Sequence, residues 1–267
     1  MVLQVSEAGN LGGFEERDSV PVAPVPESQT DLGDVSHEEH SGPLHLAMEW
    51  TNALVFPVVL VWSLYLAGSH LYALELFWLV FLAIPLGIAA GDFMSGMVHW
   101  AADTYGHDDT PVVGPSFIRA FRQHHVYPRD ICSHNFVSVV GNTCIFAVPV
   151  LSLGLLLIWL GPVAWWRAFA FFTIAVMTGV TVATNQFHKW AHQERVSRFV
   201  SWMQQMRLVL SPHHHQLHHS SPFNSNYCIT NGWLNPALER IKFFRGLEFA
   251  LRSIGIRPAT GKGYEKA

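Results

Sequence analysis

From Trp50 onward, long apolar runs alternate with short polar interruptions. The first apolar stretch, about 50–100, breaks at "AGSHLYALE" (67–75) into proposed spans near 51–68 and 74–98. The second, about 136–187, breaks at "LGPVAWWR" (160–167) into spans near 137–160 and 164–187. Each piece approaches the roughly 20 residues that an α-helix needs to cross the hydrocarbon core. Neither "NALVFPVVLVWSLYLAG" nor "NTCIFAVPVLSLGLLLIWLG" contains a charge, which argues against a large soluble protein with buried hairpins. Trp62, Trp78, Trp159, Trp165 and Trp166 fall near span ends, where interfacial aromatics belong. Pro57, Pro85 and Pro149 are tolerated in spanning helices, whose neighbours satisfy the freed backbone groups. The predicted fold is all-α: a multi-pass membrane protein of four transmembrane helices in two hairpins, with a helical, histidine-rich cytosolic cap.

Composition agrees. Half of the 267 residues are apolar and 13% are charged, against about 25% in an average soluble domain. The acids are concentrated in residues 1–48, which also carry Pro21, Pro24 and Pro26 and a single base, Arg17. That block lacks the apolar mass to fold and is expected to be a disordered tail. It has no basic region followed by an apolar core, so it does not read as a signal peptide. Residues 49–267 form the expected membrane domain, with a loop at 99–136 and a polar C-terminal region at 188–267. With a net charge of −4 and no basic patch interleaved with aromatics, nothing points to nucleic acid. Cys132, Cys144 and Cys228 form no CxxC pair and suit a reducing compartment. Of the 16 Lys and Arg residues, Arg167 alone falls on the side of the two outer turns. The positive-inside rule therefore predicts that the N-terminus, the 99–136 loop and the C-terminal region face the cytosol.

Histidines crowd that same side. "GMVHWAADTYG" sets His99 and Asp103 four apart, on one helical face where the second span ends. "FRQHHVYPRDICSHNF" supplies His124, His125 and His134. "NQFHKWAHQE" places His188 and His192 four apart at the end of the fourth span, with Asn185 just before. "HHHQLHHSSP" brings His213, His214, His215, His218 and His219, in which positions 215, 218 and 219 share a face. Any one of these could be a surface or capping pair, and His70, His107 and the histidines of the tail read as ordinary. Four groups on one membrane face are hard to explain as decoration. Imidazole suits zinc, iron, copper and nickel alike. A structural zinc site takes four ligands and usually includes Cys, and neither "HKWAH" nor "HQLHH" carries the glutamate of a zinc protease. Eight or more nitrogen ligands fit two metals better than one. Asp103 either ligates or orients an imidazole, and Asn185 is a candidate water or ligand partner.

The segments "GDFMSGMVHWAADTYG", "FIRAFRQHHVYPRDICSHNF", "TNQFHKWAH" and "HHHQLHHSSPFNSNYCITNGWLNPALERI" resemble the Kua-type membrane desaturases, over roughly Leu86 to Leu251. "ITNGWLNPALE" favours the branch acting on plasmanyl ethanolamine lipids. The resemblance implies an enzyme that forms the vinyl ether of a plasmalogen from the sn-1 alkyl chain of an ether phospholipid. It implies two iron ions, O2 as cosubstrate, and cytochrome b5 with its reductase as electron donors, in the endoplasmic reticulum membrane or a bacterial inner membrane. Carried onto this chain, the metal ligands are His99, His124, His125, His134, His188, His192, His214, His215, His218 and His219; His213 is left out as a departure from the family pattern. Arg119, Arg122, Arg129 and Lys189 are candidate headgroup contacts. The rivals are the same chemistry on another lipid (an acyl desaturase or hydroxylase) and a non-catalytic membrane protein that binds zinc or copper. Two segments, 197–210 and the run from Leu234 to Ile254, read as amphipathic helices that lie on the membrane or pack against the spans.

Overall fold

A computed structural model describes residues 43–107, 109–111, 114 and 118–259. The acidic segment 1–42, and with it most of the expected tail, lies outside the described residues. Nine α-helices and no strand occur among those described. Four are long and apolar enough to cross a membrane: α1 (Pro43–Ala73), the segment Phe77–Thr104 that ends in α2 (Val80–Thr104), α4 (Phe136–Leu160) and α5 (Trp165–His192). The short α3 (Arg119–Val126), α6 (Arg198–Gln205), α7 (Pro212–His218), α8 (Asn235–Arg240) and α9 (Phe243–Ser253) make up the cap.

The third span matches its expected bounds within a residue, because its ends carry local signals. Asn135 accepts the Ser138 amide at its start, and Gly161 leaves the helix after Leu160. The other spans run beyond expectation. α1 begins at Pro43, so residues 43–48 are helical rather than tail. There Glu49 is buried against Gly141 of α4 and pairs with His45 at 3.2 Å. α1 also continues through His70, which sits in its last turn, and the chain reverses only at Glu75 with a left-handed φ of 59°. α2 and α5 extend past 98 and 187 to Thr104 and His192. Hydropathy falls there while the helix persists, since the polar side chains turn inward.

α5 packs against α1, α2 and α4, and α1 also lies along α4. α1 and α2 therefore separate after their turn and dock on the second hairpin. Close approach of α2 to α5 depends on small residues one turn apart. A Cβ on Gly87 would lie 2.6 Å from Val176 Cβ, and one on Gly91 2.8 Å from Val180 Cγ1. Arg167, in the first turn of α5, donates to the carbonyls of Leu157 and Pro162 and so caps the end of α4. In the cap, the expected helix over 197–210 stops at Gln205, with Arg207 at a φ of 55°. The expected run from Leu234 splits into α8 and α9 at Lys242, whose φ is 53°.

Gly87→Leu should force α2 off α5 at a cost of about 1–3 kcal/mol or more. The expected result is a lower unfolding midpoint in detergent, with Gly246→Ala, a position with nothing within 4 Å, as the unaffected comparison.

Candidate metal centre

Helix ends build the site. α2 remains helical through His99 and Asp103, and α5 through His188 and His192, so each pair sits one turn apart on one face. α3 contributes the neighbours His124 and His125. α7 starts with Ser211 accepting the His214 amide and Pro212 in its first turn, and presents His215 and His218 before ending at His219.

These side chains form two groups, each with ligand atoms all within 4.8 Å of one another. One holds His124, His188, His192, His215 and His219; the other holds His99, Asp103, His125 and His218. His124 and His125 send their rings to different groups, as do His219 and His218, so the groups adjoin. The rings of His125 and His219 are 5.2 Å apart.

Both groups fit metal ions. His215 Nε2 lies 2.8 Å from His188 Nε2, 2.8 Å from His192 Nε2 and 3.0 Å from His219 Nε2. A ring nitrogen offers one proton or one lone pair, so three such contacts cannot all be hydrogen bonds. His188–His192 and His124–His219 add Nε2 pairs at 3.2 Å each. Bonds of about 2.1 Å meeting at right angles on a shared ion would set neighbouring nitrogens about 3.0 Å apart, against about 3.4 Å for a tetrahedron. The spacing and the five donors suit an ion of more than four ligands. In the second group, Asp103 Oδ2 is 3.0 Å from His125 Nε2, 3.5 Å from His99 Nε2 and 3.6 Å from His218 Nε2. Asp103 Oδ1 and His99 Nδ1 are buried without a hydrogen-bond partner among the described residues. His218 Nδ1 donates to the Ser225 carbonyl at 2.8 Å, which turns the Nε2 lone pair toward the group.

Burial, and after it the neighbouring imidazoles, holds His124, His215 and His219 far below the usual histidine range. They are neutral at physiological pH, the form that binds metal.

A second set of contacts fixes the ligand helices in register. Asp92, fully buried two turns before His99, accepts the amides of Asn231 and Gly232 on Oδ1 (3.1 and 3.0 Å) and of Leu234 on Oδ2 (3.0 Å). Thr184 of α5 meets Thr230 at 2.6 Å, and Ser95 accepts the Ile229 amide at 3.1 Å. Within this clamped loop Asn235 donates to His214 Nε2 at 2.8 Å and holds both backbone groups of Cys228.

Two expected ligands are therefore not in either group. His214 binds Asn235 instead of the metal groups because it faces the other side of α7, toward the loop. His134 is exposed and lies 3.6 Å from Asp130. Asn185 donates to the Val139 carbonyl and to Thr143, both at 3.1 Å, and so ties α5 to α4. Asp92 was not singled out from the sequence, although a carboxylate inside an otherwise apolar span is itself a signal.

Comparison with known proteins agrees with this geometry. A family model described as a lipid desaturase domain matches residues 88–260, the stretch that contains every member of both groups. The chain belongs to the lipid desaturase domain family. The desaturase is 44% identical over 167 residues to a plasmanylethanolamine desaturase of Myxococcus xanthus, a match covering 62% of this chain and 58% of that protein. It is 34% identical over 244 residues to plasmanylethanolamine desaturase 1 of Mus musculus, covering 85% and 88% respectively. It is 35% identical over 180 residues to the chloroplastic fatty acid desaturase 4 of Arabidopsis thaliana, covering 65% and 52%. No solved structure matches the chain.

Elemental analysis of the purified desaturase should show at least half of its metal lost in His188→Ala and in Asp103→Ala, with His134→Ala at full content. Stability of the metal-free protein should depend on acid. Above about pH 6.5 neither folded nor unfolded histidines bind protons; below it the unfolded chain binds them and the buried cluster does not. The unfolding midpoint in detergent is expected to fall between about pH 7 and about pH 5.5.

Proposed function

We propose that the desaturase forms the vinyl-ether double bond of plasmalogen from plasmanyl ethanolamine phospholipid, using two iron ions, dioxygen and two electrons. Two hydrogens leave the first and second carbons of the sn-1 alkyl chain. The observation that carries this reading is the pair of adjoining ligand groups, one fully and one partly buried, at the ends of α2 and α5, in a chain similar to two plasmanylethanolamine desaturases.

His124, His188, His192, His215 and His219 would hold one iron, and His99, Asp103, His125 and His218 the other. When bound, the pair supplies dioxygen reduction and an oxidant able to break an unactivated C–H bond. The chain supplies the rest. Its neutral imidazoles keep their lone pairs available, and burial excludes water that would quench the oxidant. A site at the span ends suits carbons that lie next to a headgroup, with the alkyl chain lying between spans. Held there, the reacting bonds are aligned before chemistry begins. α3 is the element assigned to the headgroup phosphate, since Arg119 and Arg122 sit on it beside His124 and His125. Of the four candidate contacts, Arg122 donates to the Gly106 carbonyl at 2.7 Å, Arg129 is paired with Glu194 at 2.6 Å and Lys189 donates to the His134 carbonyl at 2.5 Å.

The distribution of Lys and Arg supports a cytosolic site, where cytochrome b5 and its reductase would deliver the electrons in an endoplasmic reticulum membrane. A bacterial source would put the same arrangement in the inner membrane with a different donor. The likeness to a chloroplastic fatty acid desaturase favours one second reading, the same chemistry on an acyl chain.

The test is lipid analysis of cells that lack plasmalogen synthesis but contain plasmanyl lipids. Acid-labile vinyl-ether lipid should appear on expression and fall to background in His218→Ala. An added acyl double bond with no vinyl ether would select the second reading, and no new double bond with iron bound would overturn both.

A further inference from the structure

A column of aromatic rings leads away from the metal groups between α2 and α9. The Tyr227 ring lies 5.4 Å from that of His218 and 6.0 Å from that of His99. Phe244 of α9 is 4.9 Å from Tyr227 and 5.8 Å from Trp100. Trp100, the residue after His99, is 5.3 Å from Tyr105, which is partly exposed. Tyr227, Phe244 and Trp100 are all buried.

Filling this space needs only phenyl and aliphatic side chains. Phe121 and Phe223, which also touch the imidazoles at 5.2 and 5.4 Å, are phenyls. Tyr and Trp bring polar atoms whose burial costs free energy unless they are paired. The Tyr105 hydroxyl is buried and has no hydrogen-bond partner among the described residues. Trp100 Nε1 donates to Glu248 Oε1 at a long 3.4 Å. What Tyr and Trp offer beyond phenylalanine is a ring that gives up one electron readily, here with a carboxylate beside the indole N–H to receive its proton.

We propose that Tyr227, Trp100 and Tyr105, joined through Phe244, form a one-electron relay. It drains oxidising equivalents from the metal groups to the surface when no lipid C–H bond is in place to consume them. The relay rests on the oxygen-dependent desaturase reading, which supplies the oxidant. Each passage moves one electron inward, from Tyr105 through Trp100 and Tyr227; Tyr227 is reduced again by Trp100 within the same passage and ends with its phenol proton in place. While Trp100 is oxidised its Nε1 proton rests on Glu248, and it returns when the electron from Tyr105 arrives. The Tyr105 phenol proton leaves to solvent by way of the partly exposed Glu248, whose charge acts on the phenol, and a soluble thiol restores both electron and proton. Two passages provide the two electrons that the lipid would have given. Dioxygen ends as water, and two thiols end as a disulfide.

The experiment uses the full chain, loaded with iron, chemically reduced and mixed with dioxygen without lipid or thiol. Samples frozen at intervals are read by electron paramagnetic resonance, and digested samples by mass spectrometry for added oxygen. The expected result is a transient organic radical with oxidation at Trp100 and Tyr105. Trp100→Phe should weaken the Tyr105 radical severalfold, Tyr105→Phe should abolish it, and both should move oxidation onto the ligand histidines. Their initial rate of lipid desaturation, measured with lipid present, should match the parent and so report intact folding. Phe244→Leu is the second interruption of the column, with the same expected loss. Dioxygen consumption with no organic radical, or a radical unchanged in Trp100→Phe and Phe244→Leu, would overturn the relay and leave the desaturase reading standing. Reduced iron that consumes no dioxygen would overturn both.

Discussion

Eight imidazoles and one carboxylate are gathered from four helices into one place, six of the nine buried and His124, His192 and His219 half-buried. The rest of the chain follows from that constraint. Buried polar groups are expensive unless something satisfies them, and these cannot satisfy one another, because too many nitrogens point at a common centre. A cation in each group resolves the conflict: it accepts every lone pair at once and reverses the repulsion that protonation would bring. The cluster is thus costly on its own, and a metal bound there would contribute to folding as well as to chemistry.

Such a cluster has to be held by contacts that do not depend on the ion. Ligands from α2, α3, α5 and α7 would drift apart if the metal alone joined them. The Asp92 clamp addresses this for α2 and α7. Its carboxylate takes three amides of the 231–234 loop, and the loop takes α7 through the Asn235–His214 contact. Gly96 makes room for the loop, since a Cβ there would lie 2.5 Å from Cys228 Sγ. α5 is joined to the same loop through Thr184 and Thr230, and to α4 through Asn185. Asn185 and His214, both expected near the chemistry, serve this frame.

Much of this was legible in the sequence, and the parts that were not have common causes. The four spans follow from long apolar runs of the right length, which are insensitive to tertiary contacts. Their ends at Thr104 and His192 were hidden because hydropathy treats inward-facing histidines as solvent-facing ones. Eight of the ten expected ligands enter the two groups, since pairs four apart and the HxxHH pattern are statements about one helix face. His134 and His214 could not be separated from them by sequence alone: a histidine looks the same until its facing partner, here Asp130 or Asn235, is known. Asp92 escaped because its partners lie about 140 residues away as backbone amides, which have no sequence signature.

The two groups are not equivalent, and the difference gives the site a direction. One is all imidazole; the other includes Asp103, the single carboxylate in either group. A carboxylate is the harder, charged donor, so an ion beside it is better stabilised in its more oxidised form than one held by neutral rings alone. With two irons bound as proposed, oxidising equivalents would collect at the group of His99, Asp103, His125 and His218. That is the group whose His99 and His218 rings face Tyr227. The carboxylate that biases the pair and the start of the aromatic column therefore lie together at one end of α2: Asp103 one turn beyond His99, and Trp100 between them.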